Sequence, residues 1–296
     1  MVLVAPAIIL LCLFSATSSF AFTNECQNWE VLHPEWIFCD DFESDILLVK
    51  KGRYFEHTNK GGTFFPIEGV GIENSRGMRV LWRPGEVDAG NLKLAFGRNP
   101  NSYMKNGIRE DQDFREIYYR IYLKMQAGWE GSPAKLSRAT IIADSEWSQA
   151  MIAHLWTGKK PYLTAAPVRC VDMNNKVKCN GYNDFVHMEW IGPKTGITPI
   201  FDFAHNNTWF CIEAHVRLND PGQSNGLQEF WIDGKLEARS EGLNFVQSYT
   251  EYGINAVFFE NYWNSGSPKQ QERYFDNIVV STQRVGCLGN FTGSSL

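Results

Sequence analysis

Apolar and polar positions alternate with period two along most of this chain. Seven segments carry the pattern: 116–125, 149–156, 184–191, 209–218, 227–234, 255–263 and 273–281. Val, Ile, Phe, Tyr and Trp crowd them, as a pleated surface prefers, and each is predicted to be a β-strand. Turn-forming stretches rich in Gly, Asn, Asp, Ser and Pro separate them at 219–226, 233–235 and 264–269. No long stretch has an amphipathic helical period. Two longer segments, 126–148 and 157–183, lack the alternation and are expected to be long loops, which in a compact domain are functional or mobile. Many short strands joined by turns make an all-β fold, a sandwich or jelly roll.

Residues 1–21 stand apart from this pattern. Met1 to Phe14 is almost wholly apolar, a run of small residues follows, and Ser19-Phe20-Ala21 fits the small-x-small cleavage pattern. The apolar run is shorter than the roughly 20 residues a bilayer span takes. It is therefore predicted to be a signal peptide, with 22–296 a single domain undivided by linker, repeat or charge block. The mature protein is expected to be secreted (extracellular or periplasmic), monomeric and free of the membrane. A net charge of −5 argues against a nucleic-acid partner, which needs a basic patch.

Cysteines change the picture further. Seven are present, and Cys12 would leave with the leader. The six that remain read as disulfides in an exported chain. Cys170 and Cys179 bracket a short polar loop and are expected to pair. Cys26 and Cys39 bracket a short N-terminal segment and are expected to pair, which leaves Cys211 with Cys287. No CxxC pair or His spacing supports a zinc site instead. Sequons stand at Asn206 and Asn290.

Alternation also sorts each strand into two faces. Ile117, Tyr119, Ile121 and Leu123 should point into the core, as should Phe210, Ile212, Ala214, Val216 and Leu218. Opposite faces carry Tyr118, Arg120 and Tyr122, then Glu213, His215 and Arg217. His154 and Trp156 share a face, as do His187 and Glu189, and as do Glu229 and Trp231. A solvated sheet face ordinarily carries Lys, Thr, Ser and Glu. If these strands lie in one sheet, their imidazoles, guanidiniums, carboxylates and rings converge on one groove. Aromatic faces stack on sugar rings, and charged or amide groups bond their hydroxyls.

Three stretches carry a family resemblance: 39–44 (CDDFES), 215–236 (HVRLNDPGQSNGLQEFWIDGKL) and 273–287 (RYFDNIVVSTQRVGC). Through them the chain resembles the concanavalin A-like jelly-roll polysaccharide lyases, the glucuronan-lyase and alginate-lyase group to which the fungal cellulose-induced protein is related. The resemblance implies a jelly-roll β-sandwich of two antiparallel sheets. It implies a structural calcium ion held by Glu43 of the opening strand and Asp276 of the closing one, since calcium favours several oxygen ligands. It also implies β-elimination on a uronic-acid polysaccharide. That reaction needs a group that neutralises the carboxylate, a base for the adjacent proton and an acid for the leaving oxygen. By strand face, Arg120 is the expected neutraliser, His154, His187 or His215 the base, and Tyr118 the acid or base. Trp156, Glu189, Glu213, Arg217 and Trp231 are the expected substrate-binding residues.

Two other functions fit the same residues. A glycoside hydrolase would use a pair drawn from Glu189, Glu213 and Glu229, but the ExDxxE strand signature of laminarinase-type jelly rolls is absent. A non-catalytic carbohydrate-binding domain would use only the aromatic rings.

Overall fold

The computed structural model describes residues 25–289; the expected signal peptide and the sequon at Asn290 lie outside them. Sixteen strands form two eight-stranded sheets in which every pairing is antiparallel. The first runs β14 (Lys235–Leu243), β13 (Gly226–Ile232), β12 (Trp209–Arg217), β6 (Glu116–Met125), β16 (Gln271–Ser281), β4 (Gly77–Trp82), β3 (Phe64–Ile67), with β1 (Trp36–Asp40) also paired to β16. The second runs β10 (Glu189–Trp190), β9 (Tyr162–Arg169), β8 (Gln149–Lys159), β7 (Lys135–Ile142), β15 (Ala256–Tyr262), β5 (Asp88–Ala95), β2 (Glu56–Thr58), with β11 (Lys194–Thr195) also on β9. Among the described residues no helix is long and apolar enough to cross a membrane.

Six of the seven predicted strands are present. The exception is 184–191, where only Glu189–Trp190 pairs, at the edge of β9. The two predicted loops are each interrupted by a strand: 126–148 contains β7, and 157–183 contains β9. The interior of β7 has no polar-out alternation because both of its faces are buried, and Arg138 and Thr140 are as inaccessible as Ala139 and Ile141. In β9, Pro167 and three Ala or Thr neighbours hide a strand that is also buried along nearly its whole length. A strand covered on both sides carries no period-two signal, which is why these two were missed.

The inner faces meet as the alternation predicted. Ile117, Tyr119, Ile121 and Leu123 of β6 join Phe210, Ile212, Ala214 and Val216 of β12 in one core cluster with Met151, Ala153 and Leu155 of β8 and Val257 and Phe259 of β15. Tyr119 fixes the two layers to each other, with its ring edge-on to Phe259 and its hydroxyl 3.1 Å from Ser137 Oγ of β7. Burying such side chains contributes about 1.5–3 kcal/mol each.

All three disulfides pair as expected: Cys26–Cys39, Cys170–Cys179 and Cys211–Cys287. The first and third tie the two ends of the described chain onto the outer face of the first sheet. The second clips a hairpin-like loop against the second sheet, where Cys170 and Cys179 pack with Ile152, Val168 and Met188. Loop-closure entropy separates the bonds. Cys211–Cys287 spans 76 residues and Cys170–Cys179 spans 9. Replacing both cysteines of the longer bridge by Ser should therefore destabilise the protein by ~2 kcal/mol more than the same change in the shorter one. Urea denaturation of the two double mutants measures the difference. Equal losses would mean that the long bridge closes a loop already restrained in the unfolded chain.

Candidate functional site

The expected groove residues divide between two surfaces that point away from each other. Tyr118 and Arg120 on β6, Glu213, His215 and Arg217 on β12, and Glu229 and Trp231 on β13 share the outer face of the first sheet. His154 and Trp156 on β8 lie on the outer face of the second sheet. His187 and Glu189 sit at the edge beside β9, where His187 Nδ1 lies 2.7 Å from Asp184 Oδ2 and Glu189 pairs with Arg169. The single groove expected from alternation is therefore corrected. Period two assigns a residue to a face of its strand, while strand pairing assigns the strand to a sheet.

On the first sheet most of these groups hold the chain ends. Arg120 is 1 % exposed; it pairs with Glu25 and donates to the carbonyls of Asn277 and Gly286. Glu213 accepts from the backbone N–H of Val285 at 2.6 Å and of Gly286. The Arg284 guanidinium lies 4.4 Å from the Trp231 ring centroid, covering it. His215 has carboxylate oxygens 2.7 Å from both ring nitrogens, those of Glu229 and Glu116, and its ring stacks on Tyr118 at 3.9 Å. Arg217 donates to the Asn225 carbonyl at 3.2 Å. Most of these side chains are spent on each other and on the C-terminal segment, while Arg217 remains exposed with only a backbone carbonyl as partner among the described residues.

The second sheet presents a different surface. Register places Glu56, Lys93, Phe258, Arg138 and His154 side by side across β2, β5, β15, β7 and β8. One register step away, Glu260 of β15 lies opposite Asn91 of β5. Glu260 is the hub. Arg138 reaches its two oxygens at 2.5 and 3.0 Å, the Tyr182 hydroxyl donates to Oε1 at 2.6 Å, and Lys135 Nζ stands 3.6 Å from Oε1. Burial alone would raise this carboxyl's pKa, but Arg138 and Lys135 outweigh it and bring it down to about 2. Tyr182 moves the other way, raised by burial and by the negative charge of Glu260. Lys135 is lowered by burial, opposed by Glu260 and reinforced by Arg138. Tyr182 lies just past Cys179, so the Cys170–Cys179 staple anchors the start of the segment that brings a phenol to a carboxylate 78 residues distant in sequence.

Around this hub lies a cleft of about 320 Å³, lined by Asp88, Asn91, Lys135, Asn183, Phe185 and Tyr262 among others. Asn91 and Asn183 each leave the side-chain oxygen without a partner among the described residues. Lys135 Nζ sits over the Tyr262 and Trp156 rings at 4.9 and 5.2 Å. Trp156 thus stands beside a residue that lines the cleft. His154 is fully buried, against the Trp156 ring at 3.7 Å and the Trp190 ring at 5.4 Å. Burial and the neighbouring Arg138 and Lys135 hold its pKa well below the usual histidine value, so the ring is neutral. It lies out of substrate reach.

Sequence reasoning did not single out Lys93, Lys135, Arg138, Tyr182 or Glu260. Glu260 did leave a signal, as a carboxylate inside the apolar run of 255–263 that had been recognised as a strand. A charge at such a position needs a partner. The other four lay in segments taken as loops or left unassigned.

Glu43 and Asp276, expected to hold calcium, do approach each other. Asp276 is nearly fully buried, and its pKa is raised well above the usual value by burial, with the charges of Glu43 and Asp41 adding to it. Its Oδ2 accepts from the Ile72 N–H at 2.8 Å and lies 3.4 Å from Ser75 Oγ, while Glu43 accepts from the Arg76 N–H at 3.0 Å. A Cβ on Gly71 would fall 2.4 Å from Ser75 Oγ, 2.6 Å from the Arg76 carbonyl oxygen and 2.7 Å from Asp276 Oδ2, so three oxygens converge on the space beside that glycine. No trio of acidic, His or Cys side chains gathers as metal ligands among the described residues. Two carboxylates with a hydroxyl and a carbonyl are the oxygen-rich donor set that calcium favours.

No curated protein matches the chain. The family described as polysaccharide lyase 14 matches residues 169–278. The fold is shared with an endo-β-1,4-glucuronan lyase of Trichoderma reesei (12 % identity, TM-score 0.52, covering 84 % of this chain and 96 % of that one). It is shared with an alginate lyase from a Chlorella virus (14 %, 0.57, 80 % and 96 %). A marine alginate lyase of Aplysia kurodai also has it (12 %, 0.56, 84 % and 99 %). With that family match and that fold, the chain is similar to the concanavalin A-like jelly-roll polysaccharide lyases, the glucuronan- and alginate-lyase group.

Proposed function

We propose that the protein is a secreted lyase that cleaves a uronic-acid-containing polysaccharide by β-elimination, with its active site in the cleft over β7 and β15. The observation that carries this reading is the Lys135–Glu260–Tyr182 arrangement. Lys135 is the cation at the open side of the cleft and neutralises the substrate carboxylate, so negative charge can develop there as the neighbouring proton leaves. Tyr182 carries that proton. Its hydroxyl hydrogen passes to the leaving glycosidic oxygen as the phenol oxygen takes the proton beside the uronate carboxylate, so Tyr182 ends as it began. Glu260, held in place by Arg138, orients the Tyr182 hydroxyl. Export is supported by the three disulfides, which belong to an oxidising compartment. Hydrolysis is less well served. A hydrolase needs a protonated carboxyl beside the leaving oxygen, and Glu260, held near a pKa of about 2, has no proton to give at ordinary pH.

Removing the phenol as Tyr182→Phe should lower turnover by about 10²- to 10⁴-fold. Lys135→Met should lower it by about 10²- to 10³-fold. Ultraviolet absorbance of the unsaturated product reports both. Because burial lowers the Lys135 pKa, activity should fall on the alkaline side before an ordinary lysine would lose its proton. Lys135→Arg should move that limb to higher pH. A limb unmoved by the change would remove Lys135 from the neutralising role.

Glu260 also makes a stability prediction. Its folded pKa of about 2 lies below the ordinary 4.5. Its contribution is therefore present above about pH 4.5 and lost as pH falls toward 2. Glu260→Gln leaves Arg138 buried without its carboxylate and should destabilise the fold by about 3–5 kcal/mol at neutral pH. Thermal melts of wild type and variant across that pH window should converge toward the acid end.

We also propose that Glu43 and Asp276, with Ser75 Oγ and the Arg76 carbonyl, hold a structural calcium that joins the opening and closing strands. A chelator should then lower the melting temperature of the wild type, since a ligand bound only to the native state stabilises it. The double variant Glu43→Gln, Asp276→Asn should not respond. Identical chelator responses in both proteins would exclude the ion from this site.

A further inference from the structure

Resting on the lyase reading above, we infer that the cleft takes one uronate with neutral sugars on either side, so that the substrate is a polysaccharide with widely spaced carboxylates. A homopolyuronate brings a carboxylate on every ring. A groove built for it needs a row of cations with no carboxylate of their own. Here Lys60, Lys93, Arg138 and Lys135 each face one already. Lys60 lies 2.7 Å from Asp88, Lys93 lies 2.5 Å from Glu56, and Arg138 and Lys135 share Glu260. Four cations thus meet three carboxylates, leaving one positive charge in excess, beside Lys135. One excess charge neutralises one uronate. A second and third carboxylate on adjacent rings would be desolvated against Glu56, Asp88 and Glu260 without a counter-charge, and like charges brought together in a partly buried site repel strongly.

What continues the cleft is apolar. Phe185 lines it and is 50 % exposed; Trp190, further along, is 43 % exposed. Both rings stand about one ring-width from Trp156, at 6.3 and 6.0 Å between centroids. Beside them Arg169 is taken up by Glu189. Exposed rings grouped around Trp156 stack on the apolar faces of sugars, and the amides of Asn91 and Asn183 serve hydroxyls as readily as carboxylates. A surface that is charge-balanced at its centre and aromatic beyond it reads the polymer mostly through neutral rings.

The test compares deacylated gellan, whose main chain carries one glucuronate among neutral sugars, with polyglucuronate and alginate. Two readouts are taken on the intact protein: retardation in native gels containing each polymer, and release of unsaturated product. The expected result is stronger retardation and faster release with gellan. Retardation should weaken only slightly with salt, because a single ion pair is formed. Trp190→Ala, an exposed position, should reduce retardation by gellan about 2- to 10-fold. Stronger retardation or faster release with polyglucuronate or alginate would overturn the inference, as would retardation by none of the three. If gellan retards the protein most and no polymer yields unsaturated product, the elimination chemistry fails while the assignment of a sparsely charged ligand stands.

Discussion

One buried carboxylate organises the surface on which this protein is proposed to work. Glu260 lies on the outer face of a β-sheet, where a side chain would ordinarily meet water, yet it is almost completely covered. Removing an ion from water is unfavourable by several kcal/mol unless partners compensate. Arg138 and Lys135 of β7 and Tyr182 from the segment after Cys179 supply that compensation, and each is thereby fixed. The position of Lys135, the state of Tyr182 and the charge balance of the cleft all follow from satisfying this single group. Lys93 extends the arrangement through its own carboxylate, Glu56, and lies over the rings of Trp147 and Tyr182.

The two outer faces solve different problems with the same residue types. On the first sheet, Arg120 and Glu213 receive the chain ends, and the Cys26–Cys39 and Cys211–Cys287 bridges lock those ends in place. Charged groups there satisfy backbone and terminal polar groups, which is a structural task. On the second sheet the covering segment is the one that follows Cys179, anchored by the Cys170–Cys179 bridge, and it covers only part of the face. It brings Tyr182 and Phe185 over the strands and leaves a cleft beside Lys135. Rigidity in the covering loop matters because a proton carrier must stay within hydrogen-bond reach of its partner.

The comparison of sequence and structure turns on particular residues. Ile117, Tyr119, Ile121 and Leu123 were legible as core because strand geometry alternates side chains whatever the strand's neighbours are. The disulfide partners were legible because two pairs bracket short segments and the third follows. His154 and Trp156 were legible as sharing a face, and Trp156 does stand beside a residue that lines the cleft. The single groove joining Arg120, His215 and Glu213 to His154 and Trp156 was not legible, because β6 and β12 pair with each other in one sheet while β8 pairs with β7 and β9 in the other.

By itself, the sequence determined the strand character of most segments, the inward and outward sets within each, the all-β class and the three bridges. All of these depend on local periodicity or on short spacing along the chain. Tertiary structure alone decided which strands share a sheet, which outer face is covered by the chain ends and which is left as a cleft. It also decided that Glu260, Arg138, Lys135 and Tyr182 meet. Those outcomes depend on pairings between residues as far apart as 252 positions. No local pattern encodes such pairings, and those of Glu260 arise only because both faces of β7 are buried and its charges must find partners across the sheet.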